Sequence, residues 1–381
     1  MLYKKITITF FLCFSLLQLQ SCEKAEAKRK IVPSVKVKTE RTIYNKKYIK
    51  KAVELQKYFS NKQKKAGFSG AVLFAEKGKI IYEHAFGYED HKLKIDLTTK
   101  TKFQIASVSK PFTSYAILLL KQRGELSLED SVQKYFPKFP YKGVTIRLLL
   151  IHKSGIPEYN YFSDKYWIDR KTTITNDDVL DLMSDHEIKR YYLPDRKYNY
   201  INTNYAVLAS IVEKVSGKSF EDFMKKEIFE PLEMNDSFVY RKGKKKLTGN
   251  VATGYRSRRR KVKDYYQNGV VGDKGVYTTV EDMLKFDQEL YKGTLLSKEN
   301  INEAFKPAHK KLHIHDNYGY GWRINAKDST NKIVYHNGWW KGFRSYFIRQ
   351  LGKQKTIIVL SNVANRSIFG TKELIKLFED K

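Results

Sequence analysis

Cysteine is almost absent from this chain. Cys13 and Cys22 are the only two in 381 residues, and both lie near its start. From residue 23 onward, therefore, no intrachain disulfide can form. No Cys/His set at zinc spacing exists either. The eight histidines are scattered, and His313 and His315 lack companions at ligand spacing, which reads as a solvated loop. Acidic residues are scarce beside basic ones, 41 against 72, a net charge of +31. The apolar stretch Ile6 to Leu19 is too short to cross a bilayer comfortably. No internal repeat appears, so a repeat array is excluded.

What the first residues do contain is a targeting pattern. Lys4 and Lys5 precede the apolar stretch, and Leu19-Gln20-Ser21-Cys22 closes it. This ending resembles a bacterial lipobox, in which the cysteine becomes the lipidated first residue. The sequence thus predicts a lipoprotein signal at 1–21, lipidation of Cys22, a polar tether at 22–45 and one two-lobed domain over 46–381. The expected location is the bacterial cell envelope, as a periplasmic or outer-membrane lipoprotein. A positive charge this large is also compatible with nucleic acid. The export signal argues against that partner, and the lysines are spread along the chain rather than gathered in one stripe. The densest runs, Lys242 to Lys246 and Arg256 to Lys261, read as loops of a basic surface suited to an anionic envelope.

The chain is organised around Ser107. Phe103-Gln104-Ile105-Ala106-Ser107-Val108-Ser109-Lys110-Pro111 runs into Ala116 to Leu120, an apolar stretch that predicts a buried helix. Pro111 is tolerated only near that helix's start. Ser107 and Lys110, three apart, then share a face. A serine needs a base to become a nucleophile, and a desolvated lysine one turn away can act as one. Ser-x-x-Lys also occurs at Ser21, Ser131 and Ser329. Only Ser107 heads a strongly apolar helix.

Periodicity places a helix from Lys46, with Ile49, Ala52, Val53, Gln56 and Phe59 on its apolar face. Ser69 to Ala75 and Ile80 to Gly87 read as two strands of a hairpin. Residues 130–300 are helix-rich. Strands return at Gly321 to Ile324, Ile333 to Tyr335, Phe343 to Ile348 and Thr356 to Leu360, before a last amphipathic helix with Leu374, Ile375, Leu377 and Phe378. The fold class that follows is α+β, an α/β sandwich. An antiparallel sheet is flanked by N- and C-terminal helices, and a mostly helical lobe is inserted into it.

Two further clusters carry polar chemistry. Tyr198-Asn199-Tyr200-Ile201-Asn202 precedes a predicted helix, and Tyr266-Gln267-Asn268 repeats its Tyr-x-Asn spacing. Tyr335-His336-Asn337-Gly338-Trp339-Trp340-Lys341-Gly342 ends a strand whose edge can hold an extended substrate. In order, Ser107-Val108-Ser109-Lys110, Tyr200-Ile201-Asn202 and His336-Asn337-Gly338 resemble the serine β-lactamase-like hydrolases. The branch is that of class C β-lactamases, DD-carboxypeptidases, D-aminopeptidases and related esterases. Stretches such as Leu149 to Pro157, Gly272 to Thr279 and Tyr318 to Trp322 extend the resemblance over about residues 46 to 378.

The resemblance implies a penicillin-binding fold and hydrolysis of amide or ester bonds through an acyl-enzyme on Ser107. It assigns base work to Lys110 and Tyr200, substrate or lysine orientation to Asn202, and an oxyanion hole to the N–H groups of Ser107 and Trp339. His336 and Gly338 belong to its substrate-binding strand, and His152 looks structural. It implies no metal and no organic cofactor. The expected partners are a D-amino-acid peptide, ester or β-lactam, with the membrane held through the lipid. The alternative is a non-catalytic envelope binding protein that keeps the fold. His336 stands where class C β-lactamases carry lysine. An ordinary histidine, pKa ~6.5, is mostly neutral at neutral pH and attracts a carboxylate weakly. Peptidase or esterase activity is therefore expected over β-lactam hydrolysis. Affinity for a carboxylate held by His336 should rise as pH falls towards 6.

Overall fold

A computed structural model describes residues 46–379, apart from 244–246, 257–259, 310–316, 327, 329 and 366–369. The signal at 1–21, the tether at 22–45, Cys22, the pair His313 and His315, and Ser329 lie outside the described residues.

The chain enters with helix α1 (Lys46–Ala66) and strands β1 (Gly70–Glu76) and β2 (Lys79–Phe86). The inserted lobe carries helices α2 (Ser109–Gln122), α3 (Tyr159–Tyr166), α4 (Asn202–Ser216) and α5 (Val280–Lys292). It then returns through β3 (Asn317–Tyr318), β4 (Arg323–Asn325), β5 (Ile333–Trp340), β6 (Phe343–Gln350) and β7 (Lys355–Ser361). These seven strands form one antiparallel sheet, β3-β4-β5-β6-β7-β1-β2. The first and last segments of the domain meet where β1 pairs with β7, from Gly70 opposite Ser361 to Glu76 opposite Lys355. The predicted insertion of a helical lobe into a sheet built from both ends is the observed fold.

Both faces of the sheet are covered, so its central strands are apolar on both sides. Val72, Phe74, Ile357 and Val359 face α1 and the C-terminal residues Leu374 and Phe378. Ala71, Leu73, Ile358 and Leu360 face the helical lobe. Alternation along each strand divides the two sets.

The predicted face of α1 is corrected by this packing. Its buried residues are Lys51, Leu55 and Phe59, whereas Ile49 and Val53 are exposed. Phe59 lies against Phe68 and Phe86. Lys51 is buried with its ammonium satisfied by Glu54 and the Glu379 carbonyl, at 3.1 and 2.7 Å. A long side chain with a capped charge fits an apolar stripe that composition alone would deny it.

Helix α2 is buried on every side from Ser109 to Leu120. That is the signature of a central helix. Its start is fixed by a small sheet in which Phe103 opposes Thr278 and Gln104 opposes Tyr277. The Ile105 N–H continues this zip to the Val276 carbonyl, at 3.0 Å. Residues just before Ser107 are thereby held beside residues just after Asp273.

Candidate active site

Ser107 lies in a short 3₁₀ turn, Ala106–Val108, that leads directly into α2. Ala106 adopts the left-handed conformation, φ 50°, which costs a non-glycine residue roughly 1–2 kcal/mol. Gly338 of β5 explains how the turn is held. A Cβ there would stand 2.4 Å from the Ile105 carbonyl and 3.0 Å from the Ala106 Cβ. Only glycine lets the strand come this close. Ser345, opposite Gly338 in β6, donates its hydroxyl to the same Ile105 carbonyl at 2.5 Å. Strand β4 pairs with β5 only from Ile333 to Tyr335. Residues 336–340 thus extend past it as an edge beside the Ser107 turn.

Lys110 is fully buried. Its ammonium donates to Asn202 Oδ1 at 2.8 Å, the Asp273 carbonyl at 3.1 Å and Ser107 Oγ at 3.1 Å. The first two partners can only accept. They fix two of the three amine positions and leave the third aimed at the Ser107 hydroxyl. In a neutral amine that third position is the lone pair a general base requires. Ser107 itself is half-buried, open to an incoming substrate while its lysine is dry.

Tyr200 presents its ring rather than its hydroxyl, with the centroid 4.9 Å from Lys110 Nζ. Among the described residues, no hydrogen bond joins the Tyr200 hydroxyl to Ser107 or Lys110. His152 orders this loop. Its Nδ1 accepts from the Ile201 N–H at 3.2 Å and contacts Asn204 Nδ2 at 3.0 Å. Its ring centroid is 4.4 Å from that of Tyr200. Burial and nearby Lys110 hold His152 well below the usual histidine range, so it is a neutral support. The second Tyr-x-Asn match lies elsewhere. Gln267 bonds Ser163 at 2.7 Å, and Asn268 accepts from the Trp340 indole at 2.7 Å.

The structure changes the reading of β5. His336 is buried, and its Nδ1 lies 2.9 Å from the Asn337 carbonyl. A carbonyl only accepts, so Nδ1 carries the proton and Nε2 accepts from the Tyr318 hydroxyl at 3.1 Å. Burial, then Arg323 and Lys110, hold His336 well below its ordinary value. The expected gain in carboxylate affinity towards pH 6 is therefore corrected: charging His336 would bury a third cation beside two others. Trp339 is 63% exposed, stacked under the Arg344 guanidinium at 4.5 Å. Strand alternation turns its side chain to the opposite face, so only its backbone accompanies Gly338 on the edge. Trp340 is the indole on the Ser107 side, 4.9 Å from Lys274 Nζ. The period of two starting from Gly338 could have found it.

Sequence reasoning also missed a buried polar group behind Lys110. Glu158 Oε2 accepts from the Asn202 N–H at 2.8 Å. Tyr159 donates to Asp273 Oδ2 at 3.1 Å and is bonded by Lys274 Nζ. Burial pushes Glu158 up to about 7 against the pull of its N–H donors. Burial lowers Lys274, with Asp273 opposing. No group of three or more His, Cys, Asp or Glu side chains among the described residues is arranged to hold a metal ion.

A family model described as Beta-lactamase matches residues 55–377. Penicillin-binding protein 4* of Bacillus subtilis (strain 168) is 38% identical over 325 residues, covering 82% of this chain and 72% of that protein. A putative penicillin-binding protein, PbpX, of the same organism is 30% identical, covering 84% and 77%. Among solved structures, an octameric penicillin-binding protein homologue from Pyrococcus abyssi superposes with TM-score 0.72 at 29% identity, covering 82% and 73%. A D-amino acid amidase from Ochrobactrum anthropi SV3 shares the fold at TM-score 0.67 and 22% identity, covering 84% and 91%.

Proposed function

This chain belongs to the beta-lactamase family and is a serine hydrolase, and from that premise we propose that it cleaves amide or ester bonds through an acyl-enzyme on Ser107. The observation that carries the reading is the Lys110 amine, dry, held by two acceptors and 3.1 Å from Ser107 Oγ. In the forward step Ser107 Oγ bonds to the substrate carbonyl carbon while its proton passes to the Lys110 amine. The tetrahedral oxyanion is received by the N–H groups of Ser107 and Trp339. Collapse breaks the bond to the leaving amine or alkoxide, which takes the proton. Water then attacks the Ser107 ester with Lys110 taking its proton; the Oγ–carbonyl bond breaks, Lys110 returns that proton to Ser107 Oγ, and the acid leaves. Tyr200 contributes its ring face beside Lys110, and Asn202 holds the amine in line.

The substrate class proposed is a small ester or the amide of a D-amino acid, ahead of a β-lactam. Names among the relatives and fold neighbours, penicillin-binding protein and D-amino acid amidase, support an acyl-transfer substrate of this kind. The neutral His336 supports the ranking, since it gives a β-lactam carboxylate no charge attraction. Measuring kcat/KM for a p-nitrophenyl ester, a D-alanyl amide and a penicillin from pH 5.5 to 8.5 tests both points. The penicillin should be the slowest. His336→Gln should change the height but not the shape of the pH profile. Fast penicillin turnover, or a profile whose acid side depends on His336, overturns the ranking.

The anchoring is likewise proposed from the first residues: Cys22 is lipidated and the protein sits in the bacterial envelope. A single acyl chain binds membranes only marginally, so stable anchoring needs more than one on Cys22. Cys22→Ser should move the protein from the membrane to the soluble fraction. Unchanged fractionation with no lipid mass on the wild type rejects the anchor.

A further inference from the structure

The two fixed acceptors of Lys110 belong to different parts of the chain. Asn202 Oδ1 comes from the start of α4, and the Asp273 carbonyl from the segment before residues 276–278. Two adjacent residues, Glu158 and Tyr159, reach both. Glu158 is 7% exposed and caps α3, with Oε1 accepting from the Asn160 N–H at 3.3 Å and its amide at 3.0 Å. Its other oxygen takes the Asn202 N–H. Tyr159, fully buried, donates to the Asp273 carboxylate and is bonded by Lys274. Lys274 is pinned in turn to the Val270 carbonyl at 3.0 Å. Its ammonium sits between the rings of Tyr159 and Trp340, at 5.0 and 4.9 Å.

We propose that Glu158-Tyr159 is a positioning clamp: it sets the spacing of the two Lys110 acceptors and so aims the amine at Ser107. The clamp rests on the reading of Ser107 as nucleophile for its kinetic effect, although its geometry is independent of that reading. Neither residue touches the place where a substrate carbonyl would lie. Both act through Asn202 and Asp273.

A purely structural role for Glu158 would leave no trace in a pH profile. The clamp does, because the carboxyl titrates. The charged groups facing it are Lys110 from α2 together with Asp273 and Lys274 from the 273–274 segment. The hydroxyl of Tyr191 meets its backbone N–H at 3.3 Å. Burial sets the carboxyl near pH 7. Ionisation there strengthens the bond from the Asn202 N–H, since a charged acceptor binds a donor more strongly than a neutral one.

The test compares wild type, Glu158→Gln and Tyr159→Phe. Glutamine keeps an acceptor for the Asn202 N–H and removes the titration. Its acylation rate with a fluorophosphonate should fall by about 10–100-fold, the cost of a misaligned catalytic group. KM for an ester should stay within about threefold. The wild-type rate should show an inflection near pH 7 that Glu158→Gln lacks. Tyr159→Phe should lose rate to a similar degree and keep the inflection. Asparagine-selective ¹⁵N labelling gives a second readout that needs no activity. The Asn202 amide resonance should move with a midpoint near pH 7 in wild type and stay still in Glu158→Gln.

Rates and pH profiles that match wild type in both variants overturn the clamp, as does an Asn202 amide indifferent to pH. A wild type that is not labelled at all rejects the nucleophile reading instead. In that case the amide titration alone decides the clamp. If Glu158→Gln fails to fold, Tyr159→Phe decides the kinetics and the wild-type amide titration decides the carboxyl.

Discussion

Ser107→Ala will take up no fluorophosphonate, and its turnover of the best ester or amide will fall by about 10⁴–10⁶-fold, as when a nucleophile is deleted from a working unit. The expectation comes from how differently the Ser-x-x-Lys serines are placed. Ser107 Oγ lies 3.1 Å from a buried amine. Ser131, by contrast, caps a short helix by accepting from the Gln133 N–H, and Lys134 pairs with Asp130 at 2.9 Å in partly exposed surroundings. Ser131→Ala should therefore label at the wild-type rate and lose only about 1 kcal/mol of stability, the worth of a helix cap. Ser107 is half-exposed, so removing its hydroxyl should leave the melting temperature nearly unchanged. Intact mass after labelling checks the first variant and calorimetry the second. A labelled Ser107→Ala protein, with the adduct mapped to another serine, would sink the assignment.

Lys110→Met is expected to be nearly as inactive and clearly less stable. Methionine fills the space of a lysine stem without its amine. Loss of a positioned general base costs about 10²–10⁴-fold. Here the loss should fall at the upper end, because Ser107 Oγ has no other amine in contact among the described residues. Stability should also drop. The Asp273 carbonyl would lose its donor in a buried setting and Asn202 Oδ1 in a half-buried one, and an orphaned buried acceptor costs about 1–3 kcal/mol. Two such groups outweigh any relief from no longer burying an ammonium, since that ammonium is satisfied three times over. The double variant Ser107→Ala/Lys110→Met should be no slower than the slower single variant, because the two side chains act as one unit. Multiplicative losses in the double variant would mean that they act separately.

Much of this protein was legible in its sequence because the signals are local. The run Ala116 to Leu120 demanded a buried helix, and Pro111 fixed where that helix could begin. The apolar strands at 70–76 and 355–361 bury both faces, and a continuous apolar run encodes this directly. Gly124 and Gly217, both with positive φ, follow the ends of α2 and α4, the position glycine serves at a helix C-terminus. The Ser107–Lys110 pair follows from one turn of helix and needed no long-range information.

What only the tertiary structure decided depends on which distant segments meet. The Tyr-x-Asn matches at Tyr200 and Tyr266 are equal in sequence, yet packing brings Asn202 to Lys110 and gives Asn268 to Trp340. The stripe of α1 shifted to Lys51, Leu55 and Phe59, because residues 68–86 and the C-terminal segment fix the side that is covered. His336 looked like an ordinary titrating histidine until the fold buried it between Tyr318 and the Asn337 carbonyl. The second fixed acceptor of Lys110 is a backbone carbonyl, that of Asp273. Every residue carries that group, so no residue type announces it. Its role comes from the antiparallel zip of residues 103–105 against 276–278, which sets it 3.1 Å from the amine.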